Sequence, residues 1–127
     1  MQKHEHWLLI AQEDLDSAKH LFSASLATSL FHIQQCAEKA LKAYLACITG
    51  SALKTHDLVR LVDLCMEHDA RFETIRLIAA VLTPYETAGR YPDTSFKKPG
   101  HEVTQKLIEQ SEYVFGFVVH HLDKQSH

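Results

Sequence analysis

Apolar residues recur along this chain in steps of three and four, the period of an α-helix. Between about residues 4 and 22, Leu8, Ala11, Leu15, Ala18 and Phe22 share one face, with Trp7 and Leu21 beside them. Glu13, Asp14 and Asp16 lie mainly elsewhere. Ser23-Ala24-Ser25 interrupts the pattern and predicts a short connection. The second segment is the most regular, with Leu30, Ile33, Ala37, Leu41, Tyr44 and Ile48 on one stripe. Thr28 or Ser29 is placed to cap its start, and Gly50 to end it in the left-handed conformation. Its polar side carries Gln34, Gln35, Glu38, Lys39 and Lys42, with Glu38 and Lys42 one helical turn apart in the favourable order.

A loop over 51–56 leads to a shorter helix over about 57–67, with Leu58, Leu61, Val62 and Cys65 inward and Asp57 at its positive end. A fourth helix is expected over about 70–82, turning Phe72, Ile75, Ala79 and Leu82 inward, and Thr83-Pro84 starts a further turn. The sizeable loop is 89–100. The last helix is expected over about 101–123, with Val103, Leu107, Val114, Val118 and Leu122 on its stripe and Ile108, Phe115 and Phe117 widening it. These elements make an all-α, up-and-down antiparallel bundle of four to five helices, one domain over 1–127.

Composition supports that reading. Four Gly and three Pro are few for a sandwich or barrel with many tight turns. A net charge of -3 implies no general polyanion-binding surface, so nucleic acid would need a local basic site. Cys36 and Cys65 fall in apolar patterns as small buried hydrophobes, and with Cys47 they suit a reducing, cytoplasmic setting. The first residues lead into an amphipathic stretch, not a signal-peptide core. No apolar run approaches the roughly 20 residues needed to span a bilayer, so no membrane association is expected.

Several spaced residues carry a resemblance. Ala11-x-x-Asp14-Leu15-x-x-Ala18 is followed by Gln35-x-x-Glu38-Lys39-x-x-Lys42-x-x-Leu45. Then come His56-x-Leu58-x-x-Leu61, Tyr85 and Arg90-Tyr91-Pro92-Asp93. In this order the set resembles the HEPN domain (higher eukaryotes and prokaryotes nucleotide-binding) over nearly the whole chain. The resemblance implies an all-α bundle, usually dimeric, and a small prokaryotic protein often encoded beside a minimal nucleotidyltransferase. Many members are toxin-type ribonucleases that use an Arg followed by His, with four to six residues between. None of Arg60, Arg71, Arg76 or Arg90 has a His at that spacing. The expectation is therefore a nucleotide- or RNA-associated binding module, in a toxin–antitoxin-like or nucleotide-transfer system, without the usual ribonuclease motif. It would act as a homodimer with a nucleotidyltransferase-type partner. The alternative is a divergent metal-independent ribonuclease toxin, also dimeric, in which His56 or His101 meets Arg90 through the fold.

The candidate nucleotide-binding residues are Arg90, Tyr91, Lys39, Lys42, Glu38 and Gln35; any catalysis falls to Arg90 and His56. Arg offers a planar fork for phosphate and Tyr a stacking face. The loop is expected to set Arg90 and Tyr91 beside Glu38, Lys39 and Lys42, or else to pair Arg90 with Glu38 or Asp14 as an anchor. The stripe Gln35, Glu38, Lys39 and Lys42 either lines a groove at a dimer seam or forms a solvated face. His56 is either a general base or a buried residue that holds the loop. His32, His56-Asp57 and Asp93 or Asp123 imitate the ligand order of HD-type metal phosphohydrolases, but no three-ligand cluster stands out. No metal and no cofactor are expected.

Overall fold

The computed structural model describes residues 1–87 and 99–125. Among the described residues five α-helices form the bundle: α1 (Lys3–Leu21), α2 (Leu26–Thr49), α3 (Leu58–Met66), α4 (Arg76–Leu82) and α5 (His101–Gln125). Two 3-10 segments, Ala70–Ile75 and Thr83–Thr87, flank α4, and there is no strand among the described residues. This is the expected all-α, up-and-down antiparallel bundle.

α2 runs through its middle. α1 and α5 pack along it, and α3 and the 83–87 turn also rest on it. Its buried residues therefore run round the whole helix, from Ser29 to Ala46, where an ordinary surface helix buries one stripe. Ala37, Ala40 and Ala43 are buried here, as are Ala11 and Ala18 on α1. Such small side chains let neighbouring helix axes approach closely. On the α3 side the core centres on Phe72, fully buried between Tyr44 and Phe117 at ring-centroid distances of 4.4 and 5.0 Å.

The element ends follow local chemistry. Gly50 adopts φ 86°, and its N–H donates to the Ala46 carbonyl, as the sequence suggested. Asp57 caps α3 by accepting from the N–H groups of Val59 and Arg60 at 3.0 and 3.3 Å. The start of α2 differs from expectation. Ser25, not Thr28 or Ser29, is the cap, and its hydroxyl accepts from the Thr28 N–H at 3.3 Å. Ser29 is instead buried and donates to the Ala18 carbonyl of α1 at 2.8 Å.

Two further expectations change. The segment 70–82 is not one helix. Asp69 caps a 3-10 turn by accepting from the Arg71 N–H at 3.0 Å, and Ile75 leaves the helical region (φ -102°, ψ 5°) before α4 begins. Val103 is 47% exposed, so it is not on the inward stripe of α5. Polar residues take part of that stripe: Thr104 and Ser111 are fully buried, and Ser111 donates to the Ile33 carbonyl of α2 at 2.7 Å. A hydrophobicity pattern does not register a serine that satisfies itself on a neighbouring backbone. Among the described residues no helix is long and apolar enough to cross a membrane.

Candidate functional site

The chemistry gathers where α2, α1 and the loop before α3 meet. Residues 34, 35, 38, 39 and 42 follow helical spacing along one side of α2, and that side is closed to water except at Lys39, which is partly exposed. Glu38 has no exposed surface, Gln34 none, and Gln35 and Lys42 very little. The solvated-face reading of this stripe is thus overturned. Amphipathic patterning presumes that a polar side faces solvent, whereas a central helix has no such side.

Burial makes an unpartnered polar atom costly, most of all a charged one. Glu38 Oε2 accepts from Lys42 Nζ at 3.0 Å and from Lys39 Nζ at 3.4 Å. Its Oε1 accepts from His56 Nδ1 at 3.0 Å and from Gln34 Nε2 at 3.3 Å. Gln34 Nε2 also donates to the His56 carbonyl at 3.2 Å, and Gln34 Oε1 accepts from Gln35 Nε2 at 2.6 Å. Gln34 thereby commits both amide protons and its oxygen to one network. Burial by itself would raise the Glu38 pKa, but the hydrogen bonds from Lys42 and His56, with the charges of Lys42 and Lys39, outweigh it and hold the carboxyl below its ordinary value. Glu38 is an ionised carboxylate inside the fold.

His56 is consequently not the buried loop residue that was one expectation. Its side chain is 61% exposed while its carboxylate partner is fully enclosed. Its backbone is held by Gln34, and the chain around it by the Asp57 cap and by the Asp57 N–H, which donates to Thr55 Oγ1 at 3.2 Å. With Nδ1 donating to Glu38, Nε2 points outward, 3.9 Å from Glu86 Oε1 on the 83–87 turn.

α1 contributes Trp7, which sequence reasoning did not place here, and Asp14, which it offered only as an anchor for Arg90. Trp7 is half-buried, and its ring centroid lies 5.7 Å from Lys39 Nζ and 5.8 Å from Lys42 Nζ. Asp14 Oδ1 pairs with His32 Nδ1 at 2.8 Å. Burial pushes the Asp14 pKa up, opposed by His32 and Lys39. The signals for both lay in the sequence, since Trp7 stands seven residues before Asp14 on the face that meets α2, but only packing shows which polar residues lie opposite.

Arg90 and Tyr91, and with them the expected contact of Arg90 with Glu38 or Asp14, lie outside the described residues. Two other arginines serve surface ion pairs, Arg71 with Asp69 and Arg76 with Asp63, both at 2.8 Å. His32, His56 and Asp57 are separately engaged by Asp14, by Glu38 and by the α3 cap. Among the described residues no group of three His, Cys, Asp or Glu side chains could hold a metal ion. A cavity of about 550 Å³ opens at the C-terminal end of α2, lined by Leu45, Thr49, Leu53, Lys54, Leu64 and His68 among others. Its lining also includes Ser51 and Glu67; what sets the Glu38 cluster apart is the set of hydrogen bonds that joins its members.

Comparison with known proteins gives one family and a consistent fold. The family model for the HEPN domain matches residues 4–122. The crystal structure of TT1696 from Thermus thermophilus is similar to this chain at 25% identity and a TM-score of 0.82, covering 94% of this chain and 98% of that one. The crystal structure of ST0689, described as an archaeal HEPN homologue, is similar at 24% identity and a TM-score of 0.73, covering 95% and 98%. At that identity the second likeness speaks for the fold alone. No curated protein matches the chain.

Proposed function

The chain belongs to the HEPN domain family, and from that premise we propose that it is a nucleotide- or RNA-associated binding module that works with a separately encoded nucleotidyltransferase-type protein. One observation carries this reading: an ionised, fully buried Glu38 that gathers two lysines and an exposed histidine at a helix seam. Desolvating such a network is costly and adds little net stability, so its retention suits recognition of an anion. Lys39, 20% exposed, presents the ammonium through which a phosphate enters. Lys42, Gln35 and Glu38 set its position from behind, and Arg90 and Tyr91 join the reading on sequence grounds alone. Titration of nucleotides and short RNA into the wild type, Lys39→Ala and Arg90→Ala tests it. Each substitution is expected to weaken binding about tenfold. A wild type that binds none of these ligands overturns the reading.

The module is proposed to act as a homodimer. Its support is exposed apolar surface on α4 and α5: Leu77 is 78% exposed, Tyr113 52% and Val81 43%. Phe115 and Phe117, which widen the inward stripe of α5, are partly buried and pack against the core. A concentration-independent 14.5 kDa species in light scattering would refute the dimer.

The geometry of His56 favours a second reading, a metal-independent ribonuclease. A buried carboxylate orients Nδ1 and leaves Nε2 outward, the arrangement that readies an imidazole to take a proton. Nε2 would accept the 2′-hydroxyl proton while O2′ bonds to phosphorus. The P–O5′ bond breaks, and water protonates the leaving oxygen, giving a 2′,3′-cyclic phosphate and a 5′-hydroxyl. RNA cleavage in EDTA that disappears in His56→Ala supports this reading, and intact RNA after incubation with the wild type removes it.

A further inference from the structure

The geometry points to Trp7 as the base-stacking element of a nucleotide site on the α1–α2 seam, with Lys39 and Lys42 beside it to meet the phosphate. This rests on the nucleotide-binding reading and adds to it the part of the ligand that an anion site does not explain.

The placement of the two lysines is the starting point. Both ammonium groups bond the same atom, Glu38 Oε2, at 3.0 and 3.4 Å, and both stand within 6 Å of the Trp7 ring centroid, at 5.8 and 5.7 Å. Their side chains are only 8% and 20% exposed. A stability role for Glu38 needs one lysine. A second, partly desolvated ammonium on an oxygen already engaged costs hydration that the shared contact returns poorly. The indole face offsets part of that cost, since its quadrupole attracts a cation. Lys39 also acts electrostatically on Asp14, whose carboxylate is bonded to His32. The seam thus holds two ammonium groups beside an aromatic surface, and Lys39 is the more exposed of the two.

A nucleotide supplies the complementary pair of features, a flat base and a phosphate a short distance away. Trp7 remains partly exposed on α1, so a base laid against the indole brings its phosphate to the Lys39 side of the seam. Stacking of this kind is tolerant of base identity, because every base has a π-face. The same chemistry serves a free nucleoside monophosphate and one nucleotide of a single-stranded RNA.

The protein carries its own reporter, for Trp7 is the only tryptophan in the chain. The experiment titrates AMP, UMP, ribose 5-phosphate, inorganic phosphate and a short single-stranded RNA into the full chain. It follows both tryptophan emission and heat of binding. Saturable quenching by AMP and UMP is expected, with ribose 5-phosphate and inorganic phosphate binding about tenfold or more weakly. Comparable affinity for AMP and RNA identifies a mononucleotide site, and much tighter RNA binding identifies a strand; either result supports the platform. Trp7→Phe keeps a stacking ring and is expected to retain most affinity, while Trp7→Leu loses about tenfold, both with unchanged helical circular dichroism. Nucleotide binding with unmoved emission and with wild-type affinity in Trp7→Leu overturns the platform and leaves the binding reading standing. A wild type that binds no nucleotide by heat or emission overturns both.

Discussion

Two sides of the same helix solve burial in opposite ways. On one, Tyr44 of α2 packs with Phe72 and Phe117 in a core made of carbon surface. On the other, Gln34, Glu38 and Lys42 are as deeply enclosed but are held by directed hydrogen bonds. Two buried side-chain oxygens, the Tyr44 hydroxyl on the apolar side and Thr104 Oγ1 on α5, have no hydrogen-bond partner among the described residues. The polar side engages both oxygens of Glu38 and both amide protons of Gln34. Apolar packing is tolerant of small mismatches because its forces are many and undirected, whereas a buried charge network is close to all-or-none. Stability is spread over the first side, and specificity is concentrated in the second.

Substitutions can break this contrast. Phe72→Ala should cost about 3–5 kcal/mol by leaving a cavity between two rings. Glu38→Ala should cost about as much by a different route, since it strands Lys42 in a nearly closed site. Urea unfolding measures both. The sharper test is the double variant Glu38→Met with Lys42→Met. If the polar side serves specificity, the double variant is within about 1 kcal/mol of wild type or more stable, yet no longer binds nucleotide. A double variant as unstable as Glu38→Ala would instead make the network a mainstay of the fold.

Acid sharpens the contrast further. The Glu38 pKa is lower in the folded chain than its ordinary value of 4.5, so below that value the unfolded chain binds the extra proton first. The contribution of Glu38 is therefore complete above about pH 4.5 and is lost as pH falls through the folded-state value. Asp14 works with the opposite sign, because its raised pKa favours the protonated folded form. Asp63 and Asp69 share the sign of Glu38; the Asp63–Arg76 pair is exposed and solvent-screened and adds little, while Asp69 is the more enclosed partner of an exposed Arg71. Urea midpoints measured from pH 7 downward should fall for wild type below pH 4.5 and fall less for Glu38→Gln, already weaker at pH 7. Parallel curves would show that Glu38 is not the titrating group.

The smallest expected effect is on the apolar side. Tyr44→Phe deletes the unpartnered hydroxyl and should be neutral or stabilising by up to about 1 kcal/mol. A clear loss in the urea midpoint would mean that the hydroxyl has a partner beyond the described residues.

The apolar side was also the more legible in the sequence. Leu30, Ile33, Leu41 and Tyr44 reveal themselves by spacing, Gly50 by its conformational freedom and Asp57 by its position before an apolar run. The polar side was legible as residues but not as an environment. Glu38 with Lys42 reads as a surface pair until α1, the loop at 51–57 and the 83–87 turn are known to cover it. Trp7 and His32 stand far from Lys39 and Asp14 respectively along the chain or on another helix, and no local period connects them. The resemblance to the HEPN domain did reach the fold, because its ordered motif set runs along most of the chain and so carries long-range information that periodicity lacks.

The hydroxyls of Ser29 and Ser111 have a mechanical consequence. One ties α2 to the Ala18 carbonyl of α1, the other ties α5 to the Ile33 carbonyl of α2. Greasy helix faces alone permit neighbouring rods to glide lengthwise, since one alanine or leucine contact is much like the next. A hydroxyl seated on a single carbonyl is a vernier mark, and a glide of one residue, about 1.5 Å, unseats it. The two marks set the longitudinal alignment of three rods, and with it which α1 side chain stands across from Lys39 and Lys42.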